Sequence, residues 1–185
     1  MSSSYSALAA RIRVPSGFLL AALYMIFAQP TPARLLWGGG VALAGLLLRG
    51  WSAGHLEKNR QLATSGPYAY TRNPLYVGSA LAGIGFCIAG GRWWFFVLLI
   101  AFLTAVYWPV IRNEQAHLRR LFPEDFATYA QSVPAIVPRL IPWREGRPAQ
   151  TRFAWKRYGQ NREYEAFFAY VVILLFLFGK MFAMN

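Results

Sequence analysis

Charge is scarce in this chain: 14% of its 185 residues are Asp, Glu, Lys or Arg, against 56% hydrophobic and 17% aromatic. A water-soluble domain carries nearer a quarter charged residues, so the composition points to a bilayer as the solvent. Metal-ligating residue types are scarcer still, with two histidines (His55 and His117) and one cysteine (Cys87). One cysteine excludes an intrachain disulfide, and the paired ligand spacings that zinc takes are absent, so no metal is expected. Cys87 lies inside an apolar run and reads as a small buried hydrophobe. His55 is expected at the surface. No serine sits in a nucleophile elbow. Gly38-Gly39-Gly40 opens an apolar run with no strand before it, which excludes a dinucleotide fingerprint and leaves helix packing or flexibility.

Acidic residues are few, seven against 19 basic, for a net charge of +12. Position decides what that excess means. Five hydrophobic segments run over Ser16–Ala28, Leu35–Trp51, Leu75–Gly90, Trp93–Ile111 and Tyr164–Ala183. The first is short for the roughly 20 residues of a spanning helix, and extension back towards Leu8 supplies the rest, with a kink expected at Pro15. Arg34, Arg92 and Lys180 fall on one side of the resulting topology and the other 16 basic residues on the opposite side, together with all seven acidic ones. By the positive-inside rule the chain has five spans and a cytoplasmic N-terminus, in the inner membrane if the source is bacterial. The basic surplus then faces anionic membrane lipids, and nucleic acid is not an expected partner. A signal peptide over residues 1–30 is the competing reading. Its cleavage region, Ala28-Gln29-Pro30-Thr31-Pro32, is too rich in proline, so a retained first helix is expected.

The fold class expected is therefore all-α and integral to the membrane, with a cytoplasmic amphipathic helix and loops forming a pocket. One membrane domain fills residues 1–185. Residues 1–53 form an N-terminal helical hairpin, 54–143 a core, and 144–185 a basic loop and a last helix. Short turns at Gln29–Pro32 and Gly90–Arg92 predict antiparallel hairpins. Leu118, Leu121, Phe122, Phe126 and Tyr129 recur at three- and four-residue steps and predict one amphipathic helix near the membrane. Trp37, Trp51, Trp93, Trp94, Trp108 and Trp143 read as interfacial anchors. Small residues in the third span (Gly78, Ser79, Ala82, Gly83, Gly85) admit either a neighbouring backbone or a ligand.

The densest polar stretch is Ser65-Gly-Pro-Tyr-Ala-Tyr-Thr-Arg-Asn-Pro-Leu-Tyr-Val-Gly78. Pro74 suits the first turn of a helix, whose N-terminus offers amides and a positive dipole end to an anion. Arg72 can pair bidentately with a carboxylate or phosphate. Asn73 is a helix cap, a ligand donor, or both. Glu114 ends the fourth span, where a carboxylate near hydrocarbon needs a partner: Arg72, Arg112 or a ligand. Tyr68, Tyr70, Tyr76 and Tyr129 add stacking surfaces.

Gly66-Pro67-Tyr68, Arg72-Asn-Pro-Leu-Tyr-Val-Gly78 and Glu114-Gln-Ala-His-Leu118…Phe122-Pro…Tyr129…Val133-Pro134 resemble the integral-membrane methyltransferases related to isoprenylcysteine carboxyl methyltransferase and phospholipid N-methyltransferase. The family pattern is Arg-His-Pro-x-Tyr-x-Gly followed by Glu-Glu-x-x-Leu-x-x-x-Phe-Gly-x-x-Tyr-x-x-Tyr, and the likeness covers about residues 54–138. Asn73, Gln115, Pro123 and Phe126 depart from it. The resemblance implies S-adenosylmethionine as cofactor, with Arg72 and Glu114 as the catalytic pair. Gly66, Pro67, Tyr68, Arg72, Asn73, Pro74, Tyr76, Val77, Gly78, Glu114 and Tyr129 are the implied cofactor-binding residues. It implies an amphiphilic acceptor, either a prenylcysteine-type carboxylate or a lipid amine. Alignment of donor and acceptor supplies much of such catalysis. Two alternatives stay open: an NADPH-dependent membrane reductase of the sterol type, which carries a similar arginine motif, and a non-catalytic protein that keeps the scaffold.

Overall fold

Proline is the first residue of three helices, those starting at Pro32, Pro74 and Pro123. The computed structural model describes residues 3–144 and 152–184, with side chains from residue 15 onward. Helix α1 covers Ser3–Phe27 and continues through Pro15. Helix α2 covers Pro32–His55, where Thr31 caps the first turn by accepting from the Arg34 amide. A short 3-10 turn, Gly66–Ala69, precedes α3 at Pro74–Gly90. Helix α4, Trp94–Phe102, passes through a π-helical turn at Leu103–Tyr107 into α5, Trp108–Leu121. The ring of Pro109 clashes with the carbonyl four residues back, Ala105, which accounts for the widened turn at that point. Helices α6 (Pro123–Ser132), α7 (Trp155–Gln160) and α8 (Glu163–Ala183) complete the described chain. No strand occurs among the described residues, in keeping with the all-α expectation.

The single amphipathic helix expected over residues 118–129 is in fact two. Phe122 leaves helical geometry at φ −133°, ψ 66°, and Pro123 starts α6. A residue before proline is pushed out of the α region, and Glu124 and Asp125 then suit the positive end of the new helix. Pro15, by contrast, does not end α1.

The dominant contact is α2 against α3. Gly38, Ala42 and Gly45 on α2 face Gly78, Ala82, Gly85 and Ala89 on α3, all buried. A Cβ on Gly45 would lie 2.5 Å from the amide nitrogen of Ala82 and from the Gly78 carbonyl, so the two backbones touch. The small residues of both helices thus serve backbone approach. The expected α1–α2 hairpin is not a packed pair among the described residues: α1 lies instead against the π turn and α5. Helix α8 packs on α2.

Two helical stretches are long and apolar enough to cross a bilayer, Trp94–Leu121 and Glu163–Ala183, each containing an 18-residue window of mean hydropathy 2.2. This is weaker than the five spans expected. Pro15–Phe27 and Pro74–Gly90 are apolar but shorter, and six glycines with two arginines dilute the 24 residues of α2. The outer faces are nevertheless apolar, with Phe18, Leu36, Leu47, Ile100, Phe168, Leu175 and Phe182 all exposed. A surface of this kind belongs against lipid, and the protein is membrane-associated.

The helix ends sort by charge. At one end Lys180 donates to the carbonyls of Met25 (2.7 Å) and Ile26 (2.6 Å), capping the end of α1, and the Gln29 amide reaches Gly90 O at 2.8 Å. Charged hydrogen bonds of this kind are worth about 1.5–3 kcal/mol each before solvent screening. Lys180→Leu is expected to lower the melting temperature in detergent by several degrees, read by thermal unfolding; an unchanged value would show that the cap adds nothing. At the other end lie Arg49, His55, Arg72, Glu114 and Glu163.

Candidate functional site

The site begins as a clasp between two irregular segments. Residues 69–73 and 134–143 run beside each other, with Arg72 N–H donating to Pro134 O (2.9 Å), Arg139 N–H to Tyr70 O (2.9 Å) and Trp143 N–H to Ala69 O (2.9 Å). Thr71 Oγ1 donates to the carbonyls of Ala135 and Ile136, both at 3.1 Å, and Asn73 Nδ2 to Ala135 O at 2.8 Å. Asn73 therefore spends its amide on the clasp and makes no side-chain cap to α3.

Beneath the clasp is a small core of Leu62, Phe126, Tyr129, Val133 and Trp143. Trp143 is 5% exposed and tilts against Tyr129 at 5.5 Å, so it is a wall of this core and not the interfacial anchor expected. Trp37 and Trp93, by contrast, are exposed at 72% and 77%. Tyr129 Oη donates to Tyr68 O at 2.7 Å, holding α6 against the 3-10 turn. His55 is also buried, at 8%, contrary to expectation. Its Nδ1 lies 3.0 Å from Ser65 Oγ, and its ring fills the space beside Gly66, whose φ is +58°. A Cβ on Gly66 would stand 2.6 Å from His55 Nε2, so glycine is required there twice over.

Above this core opens a cleft. Tyr68, Arg72, Asn73, Pro74, Tyr76, Glu114 and Tyr129 all line it. Residues 56–59 and 61–63, none of them an expected site residue, line it as well. There Asn59, in left-handed backbone at φ 61°, meets His117 Nε2 at 3.1 Å. Gly66, Pro67, Val77 and Gly78 lie outside the wall. Gly66 faces His55, Gly78 faces Arg49, and Val77 lines a second, apolar chamber.

Arg72 is the unusual group in the cleft. Its Nε is buried and has no hydrogen-bond partner among the described residues. Its guanidinium stands 5.8 Å from the Phe126 ring centre, and Arg119 approaches the same ring at 5.8 Å. Burial lowers the Arg72 pKa, Tyr129 raises it and Arg119 lowers it, yet an arginine stays charged. A half-buried arginine with an unpartnered buried N–H, sharing the Phe126 ring with a second cation, offers a place for an anion. The helix N-terminus contributes less than the sequence suggested: Pro74 has no N–H, and the amides of Tyr76 and Val77 already bond Asn73 O at 3.0 and 3.1 Å. Glu114 is exposed and accepts from Tyr76 Oη at 3.0 Å; this phenol, rather than an arginine, is the partner in place.

Burial raises the pKa of Tyr129, with Arg72 opposing, and burial above all raises that of Tyr68, with Glu114 adding. Raised folded values mean that both phenols support the fold fully below the unfolded value of about 10, and that this support is lost as pH rises beyond it. Tyr129→Phe is expected to cost about 1 kcal/mol at neutral pH, through the abandoned Tyr68 carbonyl, and to flatten the alkaline loss of stability. Melting temperatures from pH 7 to 11 check both; an equally steep alkaline fall in the variant would exclude Tyr129 as its source.

Tyr76 also borders the second chamber, about 1120 Å³, lined by Val77, Ala80, Leu103, Tyr107 and Trp108 with residues 134–137. Its ring meets Tyr107, the last residue of the π turn, edge-on at 5.4 Å. Among the described residues no group of three His, Cys, Asp or Glu side chains could hold a metal ion.

Residues 41–125 match the phospholipid methyltransferase family. Over 107 residues the chain is 39% identical to the cobalt-zinc-cadmium resistance protein CzcN of Cupriavidus metallidurans, covering 57% of this chain and 49% of that protein. It is 36% identical over 96 residues to the nickel-cobalt-cadmium resistance protein NccN of Alcaligenes xylosoxydans xylosoxydans, covering 51% and 45%. It is 28% identical over 136 residues to the protein-S-isoprenylcysteine O-methyltransferase of Schizosaccharomyces pombe, covering 71% and 57%. The chain thus spans about half the length of the curated relatives it matches. No solved structure matches it. Both motifs thus stand in family order on one cleft, within a chain that matches the phospholipid methyltransferase family over residues 41–125 and is similar to an isoprenylcysteine O-methyltransferase over a longer stretch.

Proposed function

We propose that the protein transfers a methyl group from S-adenosylmethionine to an amphiphilic membrane acceptor, a prenylcysteine-type carboxylate or a lipid amine. The observation that carries this reading is the buried, unpartnered Nε of Arg72, set in a cleft that shares Tyr76 with an apolar chamber. The donor set fits the cofactor. Arg72 would hold its carboxylate, Glu114 its ammonium or a ribose hydroxyl, and Tyr68, Tyr76 and Tyr129 line the space for adenine and sulfonium. The cofactor supplies an electrophilic methyl group. The chain's own part is to bind, to align and to exclude water. Tyr76 stands between a polar cleft and an apolar one, where the head of an amphiphile meets its tail. A lipid amine must give up its ammonium proton before its lone pair can take the methyl group. Glu114, which already accepts from Tyr76, can receive that proton, while a carboxylate acceptor needs no base. The cleft lies at the basic end of the bundle, which the positive-inside rule assigns to the cytoplasm.

Calorimetric titration of the detergent-purified protein with S-adenosylhomocysteine and with NADPH tests this reading. Binding of the first alone is expected, followed by methylation of a prenylated cysteine analogue or of phosphatidylethanolamine in vesicles. Binding of NADPH alone would replace it with the reductase reading. Binding of neither, to protein that melts cooperatively, would leave a scaffold without turnover.

A further inference from the structure

Glu163 begins α8, far in sequence from either motif, yet it is bound to Arg49 of α2, the helix packed against the one that carries the first motif. Its carboxylate takes the Arg49 fork, Nε to Oε2 at 2.9 Å and Nη2 to Oε1 at 2.8 Å. The side chains are 24% and 9% exposed. The remaining arm of Arg49, Nη1, turns away from Glu163. It donates to Ser79 Oγ and lies 3.5 Å from Leu75 O, a carbonyl that also accepts from Ser79 Oγ at 2.9 Å. Leu75 lies between Pro74 and Tyr76, in the first turn of α3. The stem of Arg49 crosses directly over Gly78, where a Cβ would meet Arg49 Cγ at 2.7 Å. The last glycine of the motif is therefore the opening through which α2 reaches that turn.

We infer that Arg49 and Glu163 are positioning residues: α8, through this ion pair, fixes the first turn of α3 and with it the Tyr76 hydroxyl on Glu114. A buried ion pair is weak evidence for stability in itself, because desolvation offsets the attraction. Here Glu163 orients the fork, and only a planar fork can bind a carboxylate and still present a donor to α3. Lysine in its place can serve one side or the other.

The affinity arm of the test rests on the methyl-transfer reading; the exchange arm does not. Arg49→Lys keeps the charge opposite Glu163 and removes the reach to Leu75 and Ser79. Hydrogen exchange in peptides covering residues 74–82 is expected to quicken, with that of α8 unchanged, and S-adenosylhomocysteine to bind about tenfold more weakly. Reversing the pair, Arg49→Glu with Glu163→Arg, is expected to restore the docking of α8 without protecting residues 74–82, because glutamate cannot donate to a carbonyl. Unchanged exchange over 74–82 in Arg49→Lys, or restored protection there in the reversed pair, would overturn the inference and leave an anchor for α8 alone. If the reversed protein does not fold, Arg49→Lys decides. If the wild type binds no S-adenosylhomocysteine, the methyl-transfer reading falls, and the exchange comparison still decides the coupling.

Discussion

Arg72→Ala is expected to weaken S-adenosylhomocysteine binding on the order of 100-fold, the usual consequence of deleting one partner of a desolvated charge pair. The melting temperature should stay level or rise slightly. The two expectations share one cause. The Arg72 backbone is held by the clasp to Pro134, but its buried Nε bonds nothing in the described protein and its guanidinium shares the Phe126 ring with Arg119. The side chain is thus little used by the fold and open to a ligand, the pattern in which stability is given up for a binding site. Arg72→Lys keeps the charge without the fork and should recover part of the affinity. Calorimetry with parallel thermal unfolding reads both. A drop of many degrees in either variant would assign Arg72 to the framework, and undiminished affinity would remove it from the site.

The largest effect on folding is expected from one of three adjacent glycines. A Cβ on Gly38 would lie 2.5 Å from Gly85 O and 2.8 Å from Ala89 Cα, whereas one on Gly40 meets nothing within 4 Å. Gly38→Val must push two backbones apart along the main helix contact. Overpacking costs roughly 1–3 kcal/mol even where side chains can yield, and backbone atoms cannot. Loss of monodisperse protein and of cooperative unfolding is expected for Gly38→Val. Gly40→Val, two residues away, should behave as wild type in size-exclusion chromatography and melting. Equal behaviour of the two variants would mean that α2 and α3 do not pack through this stripe.

Much of the architecture was legible because it is written in local residue chemistry. Helical content follows from long apolar runs, and proline marks the starts of α2, α3 and α6. The segregation of basic residues puts both motifs at one end of the bundle. The cleft was legible through its motifs: Tyr68, Arg72, Asn73, Pro74, Tyr76, Glu114 and Tyr129 do share one wall. One misreading was local: Phe122 carries an apolar period but yields to the adjacent Pro123. The others turned on distant neighbours. Trp143 and His55 look like surface residues until the clasp and the 3-10 turn fold over them.

Composition and motif order by themselves determined that this is a helical membrane-associated chain and singled out Arg72 as the candidate for an anion, since burial in lipid and the helix-breaking action of proline act residue by residue. Only the tertiary structure decided which glycine of Gly38-Gly39-Gly40 touches a backbone, that Glu114 takes Tyr76 as its partner, and that Arg49 joins α8 to the first turn of α3. Each of these depends on atoms brought within 4 Å from tens of residues away, and no local pattern encodes such a meeting.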